Sequence, residues 1–286
     1  MPTRLYLDSG NPQETSTALE RGLLLAGQTT NPSLVVQHPE VVARVDQGEY
    51  FTRTEITALY KQLVKEIATL VTESVSIEVY ANHQTTAREI LEQAWEMNGW
   101  IENAHIKLPT TTAGLRAAEQ LVQDGIRVNM TLCFTQAQAA AVAAATVGAT
   151  SGQVLLSPFI GRLDDKGQNG LSLVNNIARM YQVAGIDHVQ VLAASLRSRE
   201  HLLACYAANV DIITAPYQLL LEWAEDGFPM PDESFVYEPG LIEIPYEEHD
   251  LQAPWTSFTI DHPLLTEGLA RFAEDWDGVL GTVGRG

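Results

Sequence analysis

The chain is short of cysteine and of positive charge, and each shortage narrows what it can be. Only two cysteines, Cys133 and Cys205, occur in 286 residues. They cannot build a disulfide framework, and neither has the paired Cys/His spacing of a zinc site. A reducing cytoplasm is the expectation. Lysine and arginine number 17 against 36 acids, for a formal net charge of −19. Such a field repels phosphate backbones and anionic membranes, which disfavours nucleic-acid and lipid partners. Any phosphate site must therefore be local, built from a few placed arginines and backbone amides. No run of eighteen apolar residues occurs, so no transmembrane helix is expected. The opening MPTRLYLDSG reads as a strand rather than a secretion signal.

What is present is a regular series. Apolar, β-branched runs fall at 4–10, 27–33, 75–81, 104–110, 127–134, 153–161, 188–195 and 210–217. The second, GQTTNPS, is weak by propensity and is counted mainly for its place in the order. Helical segments lie between them. QETSTALERGLLLAG ends in Gly27, read as a C-cap, and TTAREILEQAWEMNG opens with Thr86 three residues before Glu89, a capping box. TTAGLRAAEQLVQDG, the alanine-rich TQAQAAAVAAATVGA, LVNNIARMYQVAG, SREHLLACYAAN and YQLLLEWAEDG follow.

Strict strand–helix alternation argues for parallel strands joined by crossover helices. Eight units fit an α/β fold of the (β/α)8 TIM-barrel type, typically about 250 residues long. An open doubly wound sheet is the alternative, but the first strand is followed by no glycine-rich fingerprint. The expectation is a single domain, residues 1–286, with extra helices. Residues 39–73 hold too much chain for one crossover helix and are expected to contain two. Residues 227–261 are acidic and dotted with proline, and read as an excursion. It would be inert, a homo-oligomer contact or a lid. Residues 262–282 form a C-terminal helix with Leu265, Leu269, Phe272 and Trp276 on one face, expected to dock on the barrel.

A barrel of this kind gathers its active site at the C-terminal ends of its strands. The polar residues late in each strand are Asp8, Thr29 and Asn31, Glu78, Lys107, Asn129 and Thr131, then Ser157 and Arg162, Ser195 and Arg197. Each has a bland reading taken alone. A strand lysine usually snorkels to solvent, Asp8 before Ser9–Gly10 can start a turn, and Asn31–Pro32 is a common turn pair. Together they fall at one end of consecutive strands. A lysine in an apolar strand, among carboxylates, amides and hydroxyls, suits Schiff-base chemistry, because burial favours the neutral, nucleophilic amine. The iminium it forms with a ketone withdraws electrons and lets a carbon–carbon bond two atoms away break. Carboxylates then move the protons, and two arginines with two serines suit a phosphate.

GQTTNPSLV, IKLPTTTAGLRAAEQLVQDGIRVNMTLCFTQAQA, LLSPFIGRLDDKG and VLAASLRS resemble the transaldolases, in order, from Asp8 to about Pro216, and HPLLTEGLARFAEDW is similar to that family's last helix. The resemblance implies a cofactor-free, metal-free enzyme that moves a dihydroxyacetone unit from a ketose phosphate to an aldose phosphate, as in the pentose phosphate pathway. It implies Lys107 as the Schiff-base residue and Asp8 as the group handling the substrate's C4 hydroxyl proton. Glu78 and Thr131 would hold a proton-relaying water. Asn31 and Asn129 would bind the dihydroxyacetone hydroxyls and Ser157 would orient that part, Thr29 and Phe159 would also bind substrate, and Arg162, Ser195 and Arg197 would hold the phosphate. Its partners would be sugar phosphates. Two other readings stay open: a fructose-6-phosphate aldolase, whose members tend to carry glutamine at Glu78 and tyrosine at Phe159, and a catalytically silent barrel that only senses sugar phosphates.

Overall fold

A computed structural model describes residues 2–281. Eight parallel strands close into a barrel: β1 (Arg4–Asp8), β2 (Leu25–Thr29), β3 (Ser74–Glu78), β4 (Ala104–Pro109), β5 (Val128–Cys133), β6 (Val154–Pro158), β7 (Val189–Ala193) and β8 (Ile212–Pro216). Closure comes from β1 pairing with β8 along its whole length, Arg4 opposite Ile212 through Asp8 opposite Pro216. The expected (β/α)8 barrel is the fold that forms.

The helices are α1 (Pro12–Glu20), α2 (Pro32–Val36), α3 (Pro39–Asp46), α4 (Arg53–Ala68), α5 (Ala87–Asn98), α6 (Thr112–Gln123), α7 (Gln136–Ala145), α8 (Ile160–Asp164), α9 (Gly170–Ala184), α10 (Arg199–Ala207), α11 (Tyr217–Glu225) and α12 (Pro263–Gly278). Residues 39–73 do hold two helices, α3 and α4. The Thr86–Glu89 capping box opens α5, and the same device opens α4 with Thr52 and Glu55. Leu265, Leu269, Phe272 and Trp276 of α12 are all buried, and α12 packs against α2 and β5. Residue 282, the end of the span expected for this helix, lies outside the described residues.

The second strand differs from its expected place. It runs from Leu25 to Thr29, because Asn31 already caps α2 by accepting a hydrogen bond from the Leu34 amide at 2.9 Å, and Pro32 starts the helix. Gly27 is therefore no helix C-cap; α1 stops at Glu20 and the chain turns at Gly22 (φ +89°). Gly27 sits inside β2, where a β-carbon would lie 2.5 Å from the Ser74 carbonyl oxygen and 2.7 Å from the Tyr6 ring. A glycine there lets β2 and Tyr6 approach. Gly27→Ala is expected to lower unfolding stability by about 1–3 kcal/mol through overpacking, read from urea melts at unchanged m-value.

Residues 227–261 form a strap of mostly irregular chain. A two-residue strand, Ile242–Glu243, pairs with Gln168–Asn169 just before α9, and Trp255–Ser257 makes one 3-10 turn.

Candidate active site

Parallel register sets the candidate residues beside one another at the strands' C-terminal rim. Asp8 pairs with Thr29 and Thr29 with Ser76; Glu78 pairs with Lys107, and Lys107 with Asn129. Lys107 is 4% exposed and Glu78 3%, so the snorkelling reading of the lysine does not hold. Its Nζ lies 2.9 Å from Glu78 Oε2 and donates to the Thr30 carbonyl at 3.2 Å. Burial raises the Glu78 carboxyl above its ordinary value, partly offset by Lys107 and raised further by Asp8. Burial also raises Asp8, against the pull of Lys107 and a hydrogen bond from Thr29. Glu78 thus pairs with the amine directly and Asp8 feels it only through its field, a setting in which proton transfer is easily tuned.

Neighbours aim each group. Thr29 donates its hydroxyl proton to Asp8 Oδ1 at 2.6 Å, so Thr214, 2.7 Å away, must donate to Thr29. Asn129 is held at both ends, its Nδ2 donating to Ser76 Oγ at 3.0 Å and its Oδ1 accepting from Ser157 at 2.7 Å. Glu78 lies past the end of β2, where its amide has no strand partner. The buried Tyr60 hydroxyl of α4 accepts that N–H at 3.0 Å, and bonds Thr30 Oγ1 on its other side.

Thr131 is fixed by its backbone, whose carbonyl accepts from both the amide and the hydroxyl of Thr110. Its own Oγ1 is buried and without a hydrogen-bond partner among the described residues. A buried hydroxyl left unpaired is costly and calls for a reason. Just beyond it, a bulge between Met130 and Cys133, with Leu132 at φ +60°, breaks the two-residue alternation. Cys133 ends the strand beyond this bulge. Its thiol reaches the Thr135 carbonyl at 3.6 Å, and burial pushes it up to about 12.

The cationic end is built from two loops. Arg162 lies in α8; Ser195 and Arg197 follow β7. The Gly161 amide donates to the Ser195 carbonyl, and Ile160 to Ala194, both at 3.0 Å. The Arg162 guanidinium lies 5.5 Å from the Phe159 ring centroid and 5.7 Å from that of Phe272 on α12. Gly268 of α12 leaves it room, since a β-carbon there would meet Arg162 Nη1 at 2.5 Å. Burial lowers the Arg162 pKa, with the like charges of Arg271 and Arg197 acting the same way. No carboxylate lies within ion-pairing distance of Arg162 among the described residues, although the chain carries a net charge of −19. Arg197 is half exposed and meets Asp165 at 3.2 Å, a surface pair that a ligand can displace.

Every predicted site residue sits at this rim, but not in one environment. Asn31 spends its side-chain oxygen capping α2, and Phe159 packs edge-on against Phe134 while flanking Arg162. A groove of about 1020 Å³ opens beside Glu78, lined also by Arg53, Tyr60, Tyr80 and Trp276; Lys107 and Asp8 do not line it. Leu269 and Phe272 of α12 enclose a smaller space with Glu78 and Pro109. Sequence reasoning passed over Ser76, Thr214 and Tyr60. Alternation could have found Ser76, two residues before Glu78, but nothing local marks Tyr60. No group of three or more metal-ligating side chains occurs among the described residues, and no described helix is long and apolar enough to cross a membrane.

Fold and site together define a (β/α)8-barrel protein with a buried lysine–carboxylate pair at the mouth and an arginine that has no acidic partner among the described residues. The family model described as Transaldolase/Fructose-6-phosphate aldolase matches residues 5–283, and the chain belongs to that family. A probable transaldolase from Dehalococcoides mccartyi is 32% identical over 277 residues, covering 96% of this chain and 99% of the relative. One from Roseiflexus castenholzii is 36% identical over 217 residues, covering 76% and 87%. Another, from Geobacillus thermodenitrificans, is 31% identical over 274 residues, covering 96% and 98%.

Proposed function

We propose that this protein is a transaldolase, taking a dihydroxyacetone unit from fructose 6-phosphate or sedoheptulose 7-phosphate and passing it to an aldose phosphate. The observation that carries the reading is the buried Lys107–Glu78 pair at 2.9 Å, in a site where the Thr131 hydroxyl has no partner among the described residues.

In this reading Lys107 passes a proton to Glu78, 2.9 Å away, its freed amine attacks the C2 ketone, and the carbinolamine loses water to give an iminium. Glu78 and Thr131 hold the water that carries protons to and from that centre. The ionised Asp8, aimed by Thr29, accepts the C4 hydroxyl proton as the C3–C4 bond breaks. The electron pair moves onto the iminium as an enamine, and the aldose phosphate leaves. The enamine then attacks the aldehyde of the acceptor, Asp8 returns its proton, and hydrolysis frees Lys107. Asn129, held by Ser76 and Ser157, and Asn31, through its free amide nitrogen, bind the dihydroxyacetone hydroxyls. Arg162, Ser195 and Arg197 hold the phosphate. Glu78 and Phe159 follow the transferase type rather than the glutamine and tyrosine of the aldolases.

Borohydride trapping with fructose 6-phosphate, read by peptide mass spectrometry, tests this. A reduced three-carbon adduct on Lys107, relieved by erythrose 4-phosphate, is the expected result. Rapid escape of dihydroxyacetone without acceptor would instead make the protein an aldolase. No adduct under conditions that label another transaldolase would leave only a sugar-phosphate sensor.

A further inference from the structure

The two arginine-bearing loops are joined by a chain of hydrogen bonds outside the barrel. Asp164 ends α8, two residues after Arg162. Its Oδ1 accepts from the Gly170 amide at 2.8 Å, and its Oδ2 accepts from His201 Nε2 at 2.7 Å and from the Tyr237 hydroxyl at 3.4 Å. His201, in the first turn of α10, is 7% exposed and accepts the Arg197 amide at Nδ1, 3.0 Å away. With Nδ1 accepting, the neutral ring carries its proton on Nε2, facing Asp164, so each donor meets an acceptor.

A buried histidine is often only a satisfied core residue. Here its two bonds end on the two segments that carry Arg162 and Arg197. On the Arg197 segment Ser195 stands at φ +61°, a left-handed conformation that a side-chain-bearing residue keeps only when its surroundings impose it. The bonds flanking it are Gly161 N–H to the Ser195 carbonyl and Arg197 N–H to His201. Tyr237 comes from the acidic strap, which is itself pinned to the barrel. Ile242 N–H donates to the Gly167 carbonyl at 2.9 Å, Asn169 to Glu243 at 2.7 Å, and Asn176 to the Ile244 carbonyl at 2.8 Å.

We propose that Asp164, His201 and Tyr237 are positioning residues that fix Arg162 and Arg197 around one phosphate group, so that this chain of bonds sets the preference for phosphorylated over unphosphorylated sugars. The proposal rests on the phosphate assignment of the preceding reading and not on its Schiff-base chemistry. The strap takes part in the chain of bonds through Tyr237.

The test uses the full chain and inorganic phosphate as probe, with binding followed by calorimetry. Asp164→Asn is nearly isosteric but turns a donor toward His201. The imidazole proton is expected to move to Nδ1, visible in the ring 15N shifts, where it opposes the Arg197 amide. Phosphate binding is expected to weaken about tenfold, the scale of one lost buried hydrogen bond, and KM for fructose 6-phosphate to rise similarly. Borohydride trapping of unphosphorylated dihydroxyacetone on Lys107 should not change. His201→Ala should behave alike, and His201→Asn, which restores an acceptor near Nδ1, should recover most of the loss. Variants that bind phosphate within twofold of the wild type overturn the proposal, as does a wild type that binds none. Equal loss of dihydroxyacetone trapping would show a merely structural role and overturn it too. A wild type that binds phosphate, loses it in the variants, yet never forms a Lys107 adduct would sink the transaldolase reading and leave the clamp standing.

Discussion

Lys107→Met is expected to lower the proposed transaldolase activity by roughly 10⁴- to 10⁶-fold, the scale seen when a covalent nucleophile is removed, and to abolish the borohydride adduct. Methionine keeps the length of the stem without the amine. Lys107→Arg separates two explanations of the same loss. Arginine keeps the positive charge beside Glu78 but stays protonated and cannot attack a ketone. If Lys107 only balanced charge, the arginine variant would retain substantial activity. If Lys107 is the nucleophile, both variants are equally dead, as a coupled assay with fructose 6-phosphate and erythrose 4-phosphate would show. Lys107→Met also has a signature in stability. Without the ammonium 2.9 Å away, nothing comparable opposes the burial that already raises Glu78. The folded state then holds a proton that the unfolded state releases, so stability falls as pH rises from the ordinary carboxylate range through the raised folded value. Melting temperature against pH should decline more steeply in that window than for the wild type.

Asp8→Asn should stop the reaction one step later. Schiff-base formation does not need this group in the proposed cycle, but cleavage does. The expected loss is about 10²- to 10⁴-fold in kcat, the usual contribution of a general base, and the trapped adduct on Lys107 should change from three carbons to six. An unchanged three-carbon adduct would remove Asp8 from the role. The pH dependence follows from its raised pKa. Asp8 must be ionised to accept the proton, so the acid limb of kcat should lie above the ordinary carboxylate value. The same shift carries a cost in stability: the folded carboxyl binds its proton more tightly than the unfolded one. That cost is absent below the unfolded pKa and complete above the folded pKa. Asp8→Asn should therefore melt higher than the wild type at neutral pH, and the difference should vanish on acidification. Losing activity while gaining stability is the mark of a residue kept for chemistry.

Local patterning carried a great deal here. Alternation of β-branched runs with capped amphipathic helices is a property of adjacent residues, so the eight units, the Thr86–Glu89 cap and the apolar face of α12 could be read along the chain. Strand direction then placed Asp8, Glu78, Lys107, Asn129 and Thr131 at one rim, because side chains alternate and parallel strands all end the same way. Gly27 marks the limit of local patterning: a glycine after a helical run looks like a cap, and only the Tyr6 ring packed against it shows otherwise.

Contacts at long sequence separation were decided by tertiary structure alone. The register between β3 and β4 is what sets Glu78 opposite Lys107. Tyr60, 18 residues from Glu78, meets its amide because α4 packs on that end of β3. The Arg162 pocket depends on Gly268 and Phe272 of α12, and the Asp164–His201–Tyr237 chain joins three segments across 73 residues. Periodicity tells which way a side chain points, since that follows from the local backbone. What it meets there depends on how the strands are staggered around the barrel and where each loop lands, which only the closed fold determines.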